Sequence, residues 1–139
     1  MKRRENKKPE TFDFLGFTHY CNIGKEGQFR MKRKTSRKKL RAKVQEMKQW
    51  LRKRMHCKVS DTIKLLNIKL VGYYRYYGIT DNTKCTRRFY EIVARMLYKV
   101  LNRRTQKNKY SYEEFYNKIQ KQIIRPKLYV DIVKMSYEM

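Results

Sequence analysis

Gly72-Tyr73-Tyr74-Arg75-Tyr76-Tyr77-Gly78 brings together four tyrosines around one arginine, with a glycine at each end. Upstream, Ile63, Leu66 and Leu70 lead into Tyr73, Tyr74 and Tyr77 at steps of three and four. That spacing predicts an amphipathic helix starting near Ser60-Asp61 and ending at Gly78, which suits a left-handed C-terminal cap. Helical phase turns Tyr73, Tyr74 and Tyr77 toward a core and leaves Arg75 and Tyr76 outside. Some of these rings therefore pack, and the others are free to meet a ligand.

Two more helices flank this one. Leu40, Val44, Met47, Leu51 and Met55 form a stripe after a cap at Thr35 or Ser36, with Trp50 at its border. Phe89, Ile92, Val93, Met96, Leu97 and Val100 form another after a cap at Thr80 or Asp81, while Arg88, Arg95 and Lys99 follow a different side. Beyond a basic connector from Asn102 to Lys109, Ser111 and Glu114 have capping-box spacing. The short helix they open packs through Phe115 and Ile119 and stops before Pro126. Ahead of the helices, Phe12, Phe14, Leu15 and Phe17 read as a strand in which Gly16 marks a bulge or a close backbone approach. Asn22, Gly24 and Gly27 supply a turn, and Phe29 and Met31 alternate with Arg30 and Lys32 on a return strand.

The expected fold is mainly α: an N-terminal β-hairpin, a three-helix bundle and a further C-terminal helix. Its expected divisions are a flexible lead-in over 1–10, the hairpin over 11–34, the helical domain over 35–125 and an extended tail over 126–139.

The 139 residues carry 37 Lys+Arg against 12 Asp+Glu, a formal net charge of +25. Hydrophobic residues make up 40%, too many for a disordered basic tail. Such a charge on a folding chain calls for an acidic partner, with nucleic acid first and an anionic membrane surface or a ribosomal setting as rivals. No apolar run approaches the length of a transmembrane helix, and no secretory h-region is visible. Cys21, Cys57 and Cys85 are odd in number and lack Cys-x-x-Cys spacing, which favours free thiols in a cytoplasmic setting over zinc. His19 beside Cys21 and His56 beside Cys57 add no chelating pattern, so no metal and no cofactor is expected.

Catalysis has little to stand on. Asp13, Asp61, Asp81 and Asp131 are scattered, and Glu113-Glu114 is explained by helix capping. No phosphate-binding Gly loop, His-Glu-x-x-His or Gly-x-Ser-x-Gly occurs. The cations are better organised. Between Glu26 and Glu46 there is no acidic side chain, and the interval holds Arg30, Lys32, Arg33, Lys34, Arg37, Lys38, Lys39, Arg41 and Lys43. Like charges this dense repel one another, and bound phosphates relieve the repulsion while releasing counterions. Arg75 and Tyr76 on the tyrosine helix, with Arg103, Arg104 and Lys107 after the third helix, complete the candidate RNA-binding set. Whether that last patch lies beside the first is open at this level.

Several segments, in order, resemble one family. Thr11-Phe12-Asp13-Phe14-Leu15-Gly16-Phe17-Thr18-His19-Tyr20-Cys21 resembles the last conserved reverse-transcriptase block of group II intron-encoded proteins. Lys32-Arg33-Lys34-Thr35-Ser36 is similar to the opening of their maturase-specific thumb, or domain X. Gly72 to Asn82 resembles its central signature, Leu101 to Gln106 its late block, and Pro126 to Val130 its closing segment. The resemblance covers the chain from about Pro9. It implies a three-helix thumb that binds intron RNA and assists splicing. It also implies that Phe14, Leu15, Gly16 and Phe17 correspond to a primer-grip-like palm element. The family's Tyr-x-Asp-Asp carboxylate pair does not occur in this sequence, so the chain is expected to be no enzyme by itself. The alternative is a thumb and primer-grip fragment whose exposed apolar hairpin (Phe12, Phe14, Phe17 and Phe29) docks on a separate fingers–palm polypeptide and completes a reverse transcriptase in trans. A remnant of a longer gene, a separately encoded piece and an excised fragment all stay open.

Overall fold

The structure is a computed structural model and describes residues 11–23, 27 and 29–129. The expected lead-in, part of the hairpin turn and the tail from Val130 lie outside the described residues.

Phe12–Phe14 (β1), Phe17–Ile23 (β2) and Phe29–Thr35 (β3) form an antiparallel sheet in the order β1-β2-β3. The expected hairpin thus gains an edge strand. Phe14 pairs with Phe17, so Leu15 and Gly16 are the whole connection between β1 and β2. Both have positive φ, +53° and +85°, as a two-residue hairpin turn of the I′ kind requires. Gly16 therefore marks a turn where a bulge was one expectation. The other expectation, a close approach, is met. A Cβ on Gly16 would lie 2.7 Å from the Tyr77 hydroxyl.

Four helices follow: Arg37–Lys53 (α1), Val59–Tyr77 (α2), Thr83–Arg103 (α3) and Tyr112–Lys118 (α4). Of the expected caps, Ser36 accepts from the Lys39 N–H and Ser111 from the Glu114 N–H. The second helix starts one residue earlier than expected, after Lys58. The third follows a 3-10 turn over Thr80–Asn82, so Asn82 stands at its N-cap in place of Thr80 or Asp81. Gly78 has φ −80° and ψ 63°, not the left-handed cap conformation. Crowding explains its glycine: a Cβ would collide with the Tyr74 carbonyl and come within 2.6 Å of the Lys127 carbonyl.

The core forms where α1, α2 and α3 meet, around Leu51, Leu66, Leu70, Tyr74, Phe89, Val93 and Leu97. Tyr73 stacks on Phe89 with ring centroids 4.0 Å apart. The buried face of α3 is turned slightly from the expected stripe: Tyr90, Ala94 and Leu101 are buried, while Ile92 and Met96 are half-buried. Phe17 is also in this core, beneath Tyr76 and Tyr77. It is not part of an exposed apolar hairpin.

Asparagines tie the loops to the helices. Asn67 accepts from the Ile124 N–H (2.8 Å) and donates to the Gln122 carbonyl (2.9 Å). Asn102 does the same for Tyr110, accepting at 2.8 Å and donating at 3.1 Å. With the Tyr74 hydroxyl donating to the Ile124 carbonyl (3.0 Å) and the Tyr129 N–H to the Gly78 carbonyl (2.8 Å), residues 123–129 form a strap along α2.

Candidate nucleic-acid interface

The cations expected to bind phosphate do not all have the same surroundings. On β3, Arg30 is used internally: its guanidinium lies 2.9 Å from the buried Asp81 carboxylate. Arg33 lies over the Phe17 ring (5.8 Å to the centroid) and Lys34 over Tyr20 (5.2 Å), both within cation–π range. Lys32 is half-buried. Arg37, Lys38, Lys39 and Arg41 on α1 are exposed. Lys43 pairs at 3.6 Å with Glu46. Among the described residues, Arg30–Asp81 and Lys43–Glu46 are the ion pairs, so the exposed start of α1 has no compensating carboxylate.

That start is electrostatically unusual. The first turn of α1 contains no acidic residue and opens on Arg37, Lys38 and Lys39. Backbone N–H groups make a helix N-terminus the positive end of the dipole, where anions are favoured and cations are not. The turn therefore holds its positive charge at a cost that an incoming anion would remove.

Arg75 is exposed on α2, and Tyr76 is 49% exposed. Arg103 and Lys107 are exposed and Arg104 half-buried around the end of α3. This patch does not join the first turn of α1. Asn82, at the start of α3, bonds to Thr35, just before α1, and the length of α3 (about 1.5 Å per residue) separates the two patches by roughly 30 Å.

Sequence reasoning missed a cleft of about 650 Å³ between α1, α2 and the β1–β2 turn. Trp50, Tyr76 and Tyr77 supply its aromatic walls, and Lys39, Lys43 and Lys69 bring cations to it. Lys69 and Arg54 lie 5.1 and 5.4 Å from the Trp50 ring centroid. Tyr76 is held by its hydroxyl, which donates to the Leu15 carbonyl, and by stacking at 5.5 Å on Phe17. Gly72 also lines the cleft, and a Cβ there would meet nothing within 4 Å. The inward tyrosines are kept in their neutral form. Desolvation raises the Tyr73 and Tyr74 pKa values well above the usual phenol range and pushes Tyr77 up to about 12.

The primer-grip-like residues stay together at the β1–β2 turn but differ in exposure. Phe14 and Leu15 are exposed, Gly16 is in the turn and Phe17 is buried. Among the described residues no three His, Cys, Asp or Glu side chains group as metal ligands, and Cys21, Cys57 and Cys85 are free thiols. Among the same residues no helix is long and apolar enough to cross a membrane.

No curated protein and no solved structure matches the chain. A family model does: the group II intron maturase-specific domain, over residues 37–119. The match runs from the first residue of α1 to the end of α4 and takes in more than half of the sequence. This region is the maturase-specific part and not the catalytic reverse-transcriptase domain. The chain belongs to the group II intron maturase-specific domain family.

Proposed function

We propose that this chain binds folded intron RNA and holds it in the arrangement that splices, the RNA supplying the chemistry. The observation that carries the reading is the start of α1, where exposed cations sit at a helix N-terminus with no acidic residue in the first turn. Phosphate oxygens satisfy both the side chains and the helix end. Lys32, Arg33, Lys34, Arg41 and Lys43 extend the contact, and Arg103, Arg104 and Lys107 give it a second foothold on the same RNA. The free, odd-numbered thiols fit a cytoplasmic site of action.

Affinity for a structured group II intron RNA, measured across a salt series, tests this. Each lost phosphate contact flattens the log–log slope by about 0.7–0.9. Lys38→Glu with Lys39→Glu should weaken binding and flatten the slope. Unchanged affinity and slope would reject the assigned surface, and equal affinity for unrelated folded RNA would reduce the protein to a non-selective RNA binder.

A second reading rests on the sheet. Phe12, Phe14 and Leu15 are more than half exposed on and beside edge strand β1. Such an edge can dock a separate fingers–palm polypeptide and complete a reverse transcriptase in trans. Mixing the two should raise primer extension; no complex and no gain would remove this reading.

A further inference from the structure

Attraction to an RNA backbone requires only exposed cations. The cleft between α1, α2 and the β1–β2 turn has more than that. We propose that it takes one unstacked nucleotide of the bound RNA, with the base against Tyr76 and Trp50 and the phosphate on the lysines; the proposal rests on the RNA-binding reading above.

Tyr76 is prepared for stacking. Its hydroxyl is tied to Leu15 and its ring lies against Phe17, yet it is half exposed at the cleft. A ring already fixed loses little freedom when a base settles on it. Trp50 adds a second aromatic ring to the cleft, and Lys69, which lies over that ring, places a cation within reach of the same ligand. Lys39, Lys43 and Lys69 outnumber the single carboxylate, Glu46, which is held near Lys43 and can accept from a ribose hydroxyl or an exocyclic amine. Cations with aromatic walls suit a base and its phosphate better than an apolar peptide. The volume is in the range of ligand-sized clefts.

Gly72 points the same way. A glycine inside a helix is destabilising relative to alanine. Neither of the usual reasons holds here, because its φ is ordinary and no neighbour crowds its Cβ position. What the glycine does is keep space open in the cleft.

Three RNA hairpins test the proposal against the full chain. One has a single unpaired nucleotide in its stem, one carries an abasic residue at that position, and one is fully paired. The sequence contains one tryptophan, Trp50, so its fluorescence reports on the cleft directly. The unpaired nucleotide should quench it and bind about tenfold more tightly than the abasic hairpin. Gly72→Leu should erase both effects while leaving the paired hairpin's affinity and salt slope unchanged. Should Gly72→Leu fail to melt cooperatively, Tyr76→Leu must remove the same preference. If all three hairpins bind equally well, the cleft proposal falls and the RNA-binding reading stands. If none binds, both fall.

Discussion

Asn82 and Thr35, 47 positions apart, exchange two hydrogen bonds: the Thr35 N–H donates to Asn82 Oδ1 and Asn82 Nδ2 donates to Thr35 Oγ1, each at 2.7 Å. Nδ2 also donates to the Tyr77 carbonyl at 3.0 Å. One side chain thus locks the last residue of the sheet to the junction of α2 and α3. Asn82 is 1% exposed, so bulk water does not compete for these bonds. Asn82→Ala should cost about 2–4 kcal/mol in urea unfolding, because several buried polar groups lose their partner at once. Asn82→Asp should not rescue it, since a carboxylate has no N–H for the Tyr77 carbonyl.

The β1–β2 turn predicts a stabilising change. Leu15 is a non-glycine residue at φ +53°, a conformation that Asn and Gly tolerate and a γ-branched apolar side chain does not favour. Leu15→Asn should stabilise the chain by about 0.5–1 kcal/mol, read as a higher melting temperature. If Leu15 also touches a partner, as the second functional reading holds, the same variant should lose trans-activated primer extension.

Stability and affinity should move in opposite directions at α1. Arg37→Glu places an anion at a positive helix end and should stabilise the free protein by about 0.3–1 kcal/mol. It should weaken binding of intron RNA. A variant that melted higher and bound no less would remove Arg37 from the interface.

Alkaline pH should unfold the protein through its tyrosines. Tyr77 has its pKa raised from 10.0 to about 12 by burial. Below pH 10 the phenol is neutral in both folded and unfolded chains, and its contribution to stability is complete. As pH rises from 10 through 12 the unfolded chain ionises and the folded one resists, so stability is lost. The contrast with Tyr77→Phe isolates the effect of this one phenol. The variant should lose less stability between pH 9 and 11.5.

Much of the helical fold is legible in the sequence. Leu66, Leu70 and Tyr74 have a 3.6-residue rhythm so regular that the buried face of α2 follows from it, and Tyr74 rather than Tyr76 is the inward ring. The sheet was less legible. Leu15-Gly16 lacks the Asn-Gly signature of its turn type, so the break in alternation reads equally well as a bulge. On α3, Ala94 and Tyr90 carry weak hydropathy signals and are buried all the same. The site divides along similar lines. A run of like charges announces itself in the sequence, and at the start of α1 it is exposed. The cleft does not, because Trp50, Lys69, Gly72 and Tyr76 acquire their meaning only when two helices and a turn converge. Asn82 lies within a recognisable block, but its partner Thr35 is supplied by a distant strand.

Helix α2 also has a dynamic consequence. The strap holds it through Asn67 and Tyr74, α3 through Tyr73, α1 through the Trp50–Lys69 contact, and the sheet through Tyr76 and Tyr77. Fraying of any one neighbour leaves the others clamped. Backbone amides near Leu70 should then exchange with deuterium only when the whole molecule opens, and their protection gives the global unfolding free energy at a single locus.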